Sequence, residues 1–235
     1  MNNINSYVKD STDFLKRIFR LNNNIPTNNN ILVTIDVKSL YTNIPNEEGI
    51  SASINLLKEH YASHNINLDV IHDTLELVLN NNYFEFNGQY YLQTPGTAMG
   101  TPMAPSYANI FMAALETEML LNAPNGFIPL EWIRYIDDIF AVWPHVLESL
   151  MAFLNHINHF HPTIKFDYEY SDKSVHFLDT TIYFNDKHQL ESDSTSNRRT
   201  KHYYTILHST RTHVNEVLST AKRYDTDGLS QMTKN

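Results

Sequence analysis

The 235-residue chain contains no cysteine, only 6 glycines and no long uninterrupted apolar segment. Without cysteine it has no disulfides, no thiolate zinc ligands and no cysteine nucleophile, and a reducing compartment is favoured. Neither the GxGxxG nor the GxxxxGK[S/T] phosphate loop is present, which excludes Rossmann and P-loop nucleotide sites. Because no run of about 18 apolar residues and no apolar signal-peptide core is present, we expect an intracellular protein that is not inserted in a membrane.

Positive charge is also scarce. The 17 Lys and Arg residues are outnumbered by 26 Asp and Glu residues, so the formal net charge is −9. Proteins that grip nucleic acid through its phosphates usually present a basic surface, and here the chain becomes more basic only from residue 195 onward. With 42% hydrophobic residues the chain has enough apolar material for a core, so we expect it to fold.

Helical and strand patterns alternate irregularly along the chain, without the regular βαβ order of a parallel sheet, which predicts an α+β fold. Helices are predicted at 10–21, 47–61, 68–79, 107–121 and 145–160, and strands at 31–35, 132–136, 139–143, 165–170 and 175–184. Asn87-Gly88, between 83–86 and 89–92, predicts a two-residue β-hairpin, because both turn positions need positive φ.

Two adjacent aspartates, Asp137 and Asp138, interrupt the apolar segment WIRYI-DD-IFAVW. They are predicted to form the turn between two strands, although such turns prefer Asn-Gly or Asp-Gly. Two like charges held together are costly unless a cation compensates them. The pattern therefore favours a divalent cation site over the alternative of an ordinary acidic surface turn.

Asp36 raises the same question at the end of the predicted strand 31–35. Taken alone, it fits a structural role, as a helix cap or at a loop entry, as well as it fits a role in a site. If the two aspartate-bearing segments are neighbours in one sheet, Asp36, Asp137 and Asp138 meet at one rim. Three carboxylates there could hold two Mg²⁺ ions about 3.5 to 4 Å apart, the arrangement that polymerases and nucleases use for in-line phosphoryl transfer.

Four sequence blocks carry a resemblance to a known family. They are TIDVKSLYTNIP at 34–45, QTPGTAMGTPMAPSYANIFM at 93–112, RYIDDIFAVW at 134–143 and HFLDTTIY at 176–183. In order and spacing these blocks resemble motifs A, B, C and E of a reverse transcriptase palm, and their amino-acid sequences are most similar to those of Penelope-like retroelements. The resemblance covers about residues 7–223.

The resemblance implies an α+β polymerase palm of right-hand architecture, with an antiparallel sheet, packed helices, and partial fingers and thumb. Residues 1–195 would form the palm with a short helical lead-in, and 196–235 the basic start of a thumb or connector. Asp36 and Asp137 would bind the catalytic metals, and Asp138 would be the third carboxylate of the metal site. The implied cofactor is Mg²⁺, as two ions, with Mn²⁺ as a substitute.

The same resemblance assigns substrate contacts. Tyr41 matches an aromatic gate against the ribose 2′-hydroxyl, with core packing as the alternative. Gly96, Gly100, Thr101 and Pro102 match the motif B loop beneath the nascent base pair and template, where glycine permits close backbone approach. Asn109 matches a polar position early in the next helix, with capping as the alternative.

Two further residues have an implied role and a structural alternative. Lys165 is a possible counterpart of the lysine that donates a proton to pyrophosphate in polymerases. Asp179 lies in the predicted strand 175–184, whose family role is to grip the primer, although a structural hydrogen bond is equally consistent with its position.

The function that the resemblance implies is RNA-directed DNA polymerisation, with an RNA template, a DNA primer and deoxynucleoside triphosphates as partners and a nuclear location. Family members also carry a basic fingers block, a thumb and an endonuclease, so we expect a fragment whose missing regions are encoded elsewhere or lost. Two alternatives remain open: a catalytically inactive, truncated retroelement remnant that keeps the palm fold, and a metal-dependent nuclease with the same carboxylates.

Overall fold

A computed structural model describes residues 5–22, 25–26, 30–64, 66–194 and 222–224. The chain divides into two compact units. We call Met1–Lys38 with Met112–His202 the sheet unit, and Ser39–Phe111 with Tyr203–Asn235 the hairpin unit. Each unit is described by itself.

The sheet unit is built on a four-stranded antiparallel sheet with the strand order β4-β5-β1-β6. The strands are β1 (Ile31–Val37), β4 (Glu131–Tyr135), β5 (Asp138–Trp143) and β6 (Phe166–Ser171). β1 and β5 are rich in β-branched and aromatic residues, as suits a buried strand. The two predicted strands that carry aspartates are therefore direct neighbours in one sheet.

One face of this sheet is covered by α1 (Ser11–Leu21) and by a second antiparallel sheet, β7-β8-β9. The strands of the second sheet are Ser174–Phe177, Thr180–Phe184 and Leu190–Ser194. The ring of Phe14 in α1 lies 5.3 Å from that of Phe140 and 4.4 Å from that of Phe177. The other buried members of this core are Val8, Ile18, Leu32, Ile133, Val142, Val175, Ile182 and Leu190.

The opposite face of the sheet packs against α6 (Leu147–Phe160). Side chains alternate between the two faces of a strand, so Trp143 lies on the face opposite to Phe140. The ring of Phe153 in α6 lies 4.9 Å from that of Trp143 and 6.0 Å from that of Trp132. β5 and most of β1 and β4 are thus buried, whereas β6 is largely exposed, and polar residues on the buried strands need a specific explanation.

The hairpin unit combines helices with a small sheet. Its elements are α2 (Leu40–Asn43), α3 (Asn46–Tyr61), α4 (Leu68–Asn80), β2 (Tyr83–Phe86), β3 (Gln89–Leu92), the first part of α5 (Ala104–Leu121) and β10 (Lys222–Tyr224). β10 pairs with β3. Asn87 and Gly88 join β2 to β3 with φ of 52° and 70°, so the predicted hairpin is confirmed.

The α+β class is confirmed by the antiparallel sheets and packed helices. The single predicted strand at 175–184 is wrong, because Leu178 adopts φ of 50° and the chain turns back there to form β7 and β8. Of the predicted thumb segment 196–235, only 222–224 lies within the described residues. No helix in the described part of the chain is both long and apolar enough to cross a membrane.

Candidate active site

The structure brings Asp36, Asp137 and Asp138 together at one end of the central sheet. Asp36 in β1 is directly opposite Asp138, the first residue of β5. Opposed residues of antiparallel strands have Cα atoms about 4.5 to 5.5 Å apart and point to the same face. Asp137 precedes β5, and its carbonyl accepts a hydrogen bond of 3.0 Å from the Val37 N–H. The two sequence blocks are therefore joined at their aspartates.

The turn that carries Asp137 differs from the prediction by one residue. Tyr135 pairs with Asp138, so the two turn residues are Ile136 and Asp137 rather than Asp137 and Asp138. Asp138 belongs to the sheet because it has a strand partner on each side, Tyr135 and Asp36. Ile136 takes the positive φ of the turn, 56°, a conformation that is unusual for a β-branched residue.

A fourth carboxylate, Asp167, was missed by the sequence analysis. Asp167 in β6 is opposite Asp36 on the side away from Asp138. Asp138, Asp36 and Asp167 therefore form a row across three adjacent strands, here called the carboxylate row. The Lys38 ammonium contacts the Asp167 carboxylate at 2.7 Å. No local signal marks Asp167 in the polar strand FDYEYS; only the strand order places it beside Asp36.

The surroundings of these carboxyls oppose their ionisation. Burial, followed by the negative charges of Asp137 and Asp36, raises the pKa of Asp138 to about 7. Burial, followed by the charges of Asp137 and Asp167, raises the pKa of Asp36 to about 6, with Lys38 acting in the opposite direction. Asp36 nonetheless keeps much of its surface in solvent, whereas Asp138 is half-buried.

The pKa of the third carboxyl, Asp137, is also raised. Burial raises its pKa, opposed by a hydrogen bond from its own backbone and by the charge of Arg134. The charges of Arg134 and Lys38 only partly offset the effect of burial, so the pKa values of all three carboxyls stay raised. A cation placed among them would favour their ionised forms, so this is the electrostatic setting of a cation site.

The donor set fits divalent metal ions. Carboxylate oxygens are the ligands that Mg²⁺ and Mn²⁺ prefer, and the carboxylate row with Asp137 supplies them from neighbouring strands. Within the described residues, one group of three exposed candidate ligands, His72, Asp73 and Glu76 on α4, has its ligand atoms within 4.8 Å of one another. The sheet aspartates are farther apart than this group, so their fit to metal ions rests on donor chemistry and on the raised pKa values of Asp36, Asp137 and Asp138.

In the hairpin unit, Tyr41 lies against the loop that contains the predicted glycines. The Thr97 N–H donates to the Tyr41 carbonyl at 2.8 Å. Gly96 is buried with φ of 72°, and a Cβ on it would lie 2.0 Å from the same carbonyl oxygen. Glycine is required here by both the backbone conformation and the close approach. The structure therefore brings Tyr41 and Gly96 together.

Asn46, the first residue of α3, anchors this loop and was not predicted as a site residue. Its side-chain oxygen accepts from the Gly96 N–H at 2.9 Å, and its side-chain nitrogen donates to the Thr94 carbonyl at 3.2 Å. The Tyr107 hydroxyl donates to the Asn46 carbonyl at 3.2 Å. Asparagine after proline at a helix start is a recognisable local signal, but its partner loop is distant in the sequence.

The remaining predicted loop residues lie just before α5. Gly100 has φ of 93° and is exposed, as is Pro102. The Thr101 carbonyl accepts from the Ala104 N–H at 3.1 Å, so Thr101 leads directly into the helix. Asn109 is 1% exposed and lies in the second turn of α5. The helix begins earlier than predicted, and the capping alternative for Asn109 is wrong.

Lys165 and Asp179 lie in the sheet unit. The Lys165 ammonium donates to the carbonyls of Asn158 and His161, at 2.8 and 2.9 Å. These carbonyls are at the C-terminal end of α6, where a cation is favoured by the helix dipole. Asp179 is exposed and lies in the turn between β7 and β8 rather than inside a strand.

Comparisons with known proteins agree with this geometry. The family profile described as Reverse transcriptase (RNA-dependent DNA polymerase) matches residues 3–224. No curated protein sequence matches the chain. The structure of apo telomerase from Candida Tropicalis truncated from its C-terminal domain matches with a TM-score of 0.61 and 15% identity, over 80% of this chain and 41% of that chain.

Two related structures match similarly. Apo telomerase from Candida Tropicalis gives a TM-score of 0.64 and 11% identity, over 82% of this chain and 38% of that chain. Telomerase from Candida albicans, in complex with a TWJ fragment of telomeric RNA, gives a TM-score of 0.60 and 14% identity, over 93% of this chain and 43% of that chain. At these identities the match shows a shared polymerase fold. The chain spans about two fifths of the length of these structures.

Proposed function

Because the chain belongs to the reverse transcriptase family of RNA-directed DNA polymerases, we propose that it adds deoxynucleotides to the 3′-end of a DNA primer on an RNA template. The observation that carries this proposal is the pairing of Asp36 with Asp138, with Asp137 beside them. Carboxylates gathered at one place are suitable ligands for the two divalent ions of nucleotidyl transfer.

Asp36, Asp137 and Asp138 would hold the divalent ions, which we propose are two Mg²⁺, replaceable by Mn²⁺. When bound, the ions would activate the primer hydroxyl and stabilise the charge that develops on the pyrophosphate. The protein's own contribution is to hold Asp36 and Asp138 on paired strands and Asp137 in a turn that is bonded to β1. A rigid sheet fixes the positions of the ligands before substrate arrives, which reduces reorganisation in the reaction.

Other roles follow the family resemblance. We assign to Tyr41 the exclusion of nucleotides with a ribose 2′-hydroxyl. The loop residues Gly96, Gly100, Thr101 and Pro102, together with Asn109, are assigned to contacts with the nascent base pair and template. The hydrogen bonds of Asn46 and Tyr41 to the loop support a fixed loop conformation.

We retain Lys165 as a candidate proton donor to pyrophosphate. To act in this way its ammonium would have to exchange the α6 carbonyls for a phosphate oxygen. The similarity of the motif sequences to Penelope-like retroelements supports a retroelement origin, and we propose a nuclear location on the basis of that origin. RNA template, DNA primer and deoxynucleoside triphosphates are the proposed partners.

Primer extension tests the proposal. The full chain is given a DNA primer on an RNA template with deoxynucleoside triphosphates, in Mg²⁺ and separately in Mn²⁺. We expect template-coded incorporation by the wild type and a loss of at least about 100-fold in Asp137→Asn, since a metal-binding carboxylate is removed. Asp172→Asn, an exposed acid in the turn after β6, is the matched control and should retain activity.

A second candidate is a family member that keeps the fold but no longer catalyses the reaction. It is favoured by the net charge of −9, because proteins that hold nucleic acid through its phosphates usually present a basic surface. Absence of incorporation in both metals, by a chain that is folded and binds Mn²⁺, would support this candidate and exclude autonomous polymerisation.

A further inference from the structure

A buried ion pair lies beneath the turn between β4 and β5. Arg134 on β4 is 0% exposed and Glu116 on α5 is 3% exposed. Arg134 Nε donates to Glu116 Oε1 at 2.8 Å, and Trp132 Nε1 donates to the same oxygen at 2.9 Å. The Ser6 hydroxyl donates to Glu116 Oε2 at 2.6 Å. Because both carboxylate oxygens are bonded, Glu116 holds the Arg134 guanidinium in one orientation.

The other end of that guanidinium reaches the turn. Arg134 Nη1 donates to the Ile136 carbonyl at 3.1 Å. Ile136 has φ of 56°, and a β-branched residue keeps this conformation only where its surroundings enforce it. Asp137 follows immediately, and its carbonyl is bonded to the Val37 N–H of β1. The turn is thus held by Arg134 on one side of Asp137 and by β1 on the other.

We propose that Arg134 is a positioning residue for Asp137. Held by Glu116, its guanidinium fixes the Ile136 carbonyl and thereby the direction in which the Asp137 carboxylate points. The inference rests on the proposed function in one respect, namely that Asp137 is a metal ligand. The competing explanation is purely structural: Arg134 does no more than neutralise the buried Glu116.

The first test compares two arginines of the sheet unit. Arg134→Lys keeps a positive charge but loses the planar fork that reaches both Glu116 and Ile136. Arg17→Lys is the matched control, since Arg17 pairs with Glu131 at the start of β4. Mn²⁺ alone is titrated into the full chain and followed by electron paramagnetic resonance. We expect affinity to fall about tenfold or more in Arg134→Lys and to change less than about twofold in Arg17→Lys.

The second readout requires no metal. Hydrogen exchange of the Val37 amide reports the bond to the Asp137 carbonyl. We expect Arg134→Lys to speed exchange at Val37 by more than it speeds exchange across the rest of β1, and Arg17→Lys not to do so. Adding Ile136→Gly to Arg134→Lys should recover much of the Mn²⁺ affinity, because glycine takes a positive φ without needing the arginine.

A double variant keeps the test decisive if Arg134→Lys does not fold. Glu116→Met with Arg134→Met removes both buried charges, which proteins often tolerate, and also removes the donor to Ile136; it should show the same loss of Mn²⁺ affinity. Wild-type Mn²⁺ affinity and Val37 exchange in these variants would overturn the inference in favour of charge neutralisation. A wild-type chain that binds no Mn²⁺, with Val37 still responding to Arg134, would instead contradict the proposed function.

Discussion

Asp167 changes the charge balance at the metal-binding end of the sheet. It is opposite Asp36 across β1 and β6, and its negative charge contributes to the raised pKa of Asp36. Lys38 contacts Asp167 at 2.7 Å and opposes that rise. The residue thus both repels Asp36 and retains the nearby lysine.

Replacing Asp167 with asparagine should lower the pKa of Asp36 from about 6 toward the ordinary range of a carboxyl. The like charge is removed, and Lys38 no longer has its ion-pair partner, so both changes favour ionised Asp36. The measurement is a carbon-13 NMR titration of aspartate carboxyls in the metal-free chain. Asp172→Asn removes an exposed charge from the turn after β6 and should leave Asp36 unchanged; an equal effect of both variants would contradict the prediction.

The raised carboxyl pKa values also make stability depend on pH. Asp36 and Asp138 have pKa values of about 6 and about 7 in the folded chain, against 3.8 for the ordinary carboxyl. At pH values between 3.8 and about 7, the folded state binds more protons than the unfolded state, so the free energy of unfolding falls as pH rises. We expect the metal-free chain to lose on the order of 1 kcal/mol between about pH 5 and pH 7.5, since solvent screens the exposed Asp36.

Urea unfolding in a chelator, repeated across this pH range, measures the effect. Asp36→Asn with Asp138→Asn is the reference, because histidines and other groups titrate in the same range and contribute equally to both proteins. The difference between the two curves should be largest at the alkaline end, with the variant the more stable. Parallel curves would mean that the two carboxyls are ionised in the folded chain throughout the range.

At the level of elements, local chemistry predicted some features and long-range pairing decided the others. Asn87-Gly88 identified its hairpin correctly because both residues tolerate positive φ. Ile136 and Leu178 also take positive φ at turns, yet neither is a residue type that turns favour, so one turn was misplaced and the other missed. These turns are set by the pairing of their flanking strands.

In the candidate site too, local sequence predicted some residues, and long-range strand pairing placed the others. Asp36, Asp137 and Asp138 were predicted because each interrupts or ends an apolar strand. Asp167 lies in a strand that is already polar and exposed, so its position beside Asp36 depends on β6 pairing with β1. Asn46 was missed for a similar reason, since its partner Gly96 belongs to another segment.

The loop before α5 offers a test of close packing between elements. Gly88 and Gly96 have nearly the same φ, 70° and 72°, but a Cβ on Gly88 would meet nothing within 4 Å, whereas one on Gly96 would meet the Tyr41 carbonyl at 2.0 Å. Gly88→Ala should therefore cost about 1 kcal/mol from backbone strain alone. Gly96→Ala should cost about 2 to 4 kcal/mol, because the loop must also move away from Tyr41.

Urea unfolding of the two alanine variants measures this difference directly. The two variants share the substitution and nearly the same φ, and they differ in that a Cβ on Gly96 would meet the backbone of Tyr41 and Thr42. Equal losses would show that the loop moves freely away from Tyr41. Such mobility would also be incompatible with the fixed loop conformation proposed for contacts with template.

For the molecule as a whole, the net charge of −9 opposes nucleic-acid binding. Phosphates approaching the proposed site would meet the carboxylates before any metal is bound, and that repulsion is local rather than general. The affinity for a primer–template should therefore depend on divalent ions even where no reaction takes place. Changing Asp36, Asp137 and Asp138 to asparagine removes the same repulsion without metal.

Fluorescence anisotropy of a labelled RNA–DNA primer–template, in a chelator at about pH 8, tests this expectation. At about 50 mM salt the triple asparagine variant should bind about 3- to 10-fold more tightly than a control with Asp172, Asp186 and Asp193, all exposed, changed to asparagine. Both variants lose the same number of charges, so total charge cannot account for a difference between them. Added Mg²⁺ should raise the affinity of the wild type toward that of the triple asparagine variant and leave the affinity of that variant unchanged. About 300 mM salt should screen the charges and remove the difference in affinity between the two variants. Equal binding by the two variants would mean that the molecule's overall field governs nucleic-acid affinity, and that the paired aspartates do not face the phosphates.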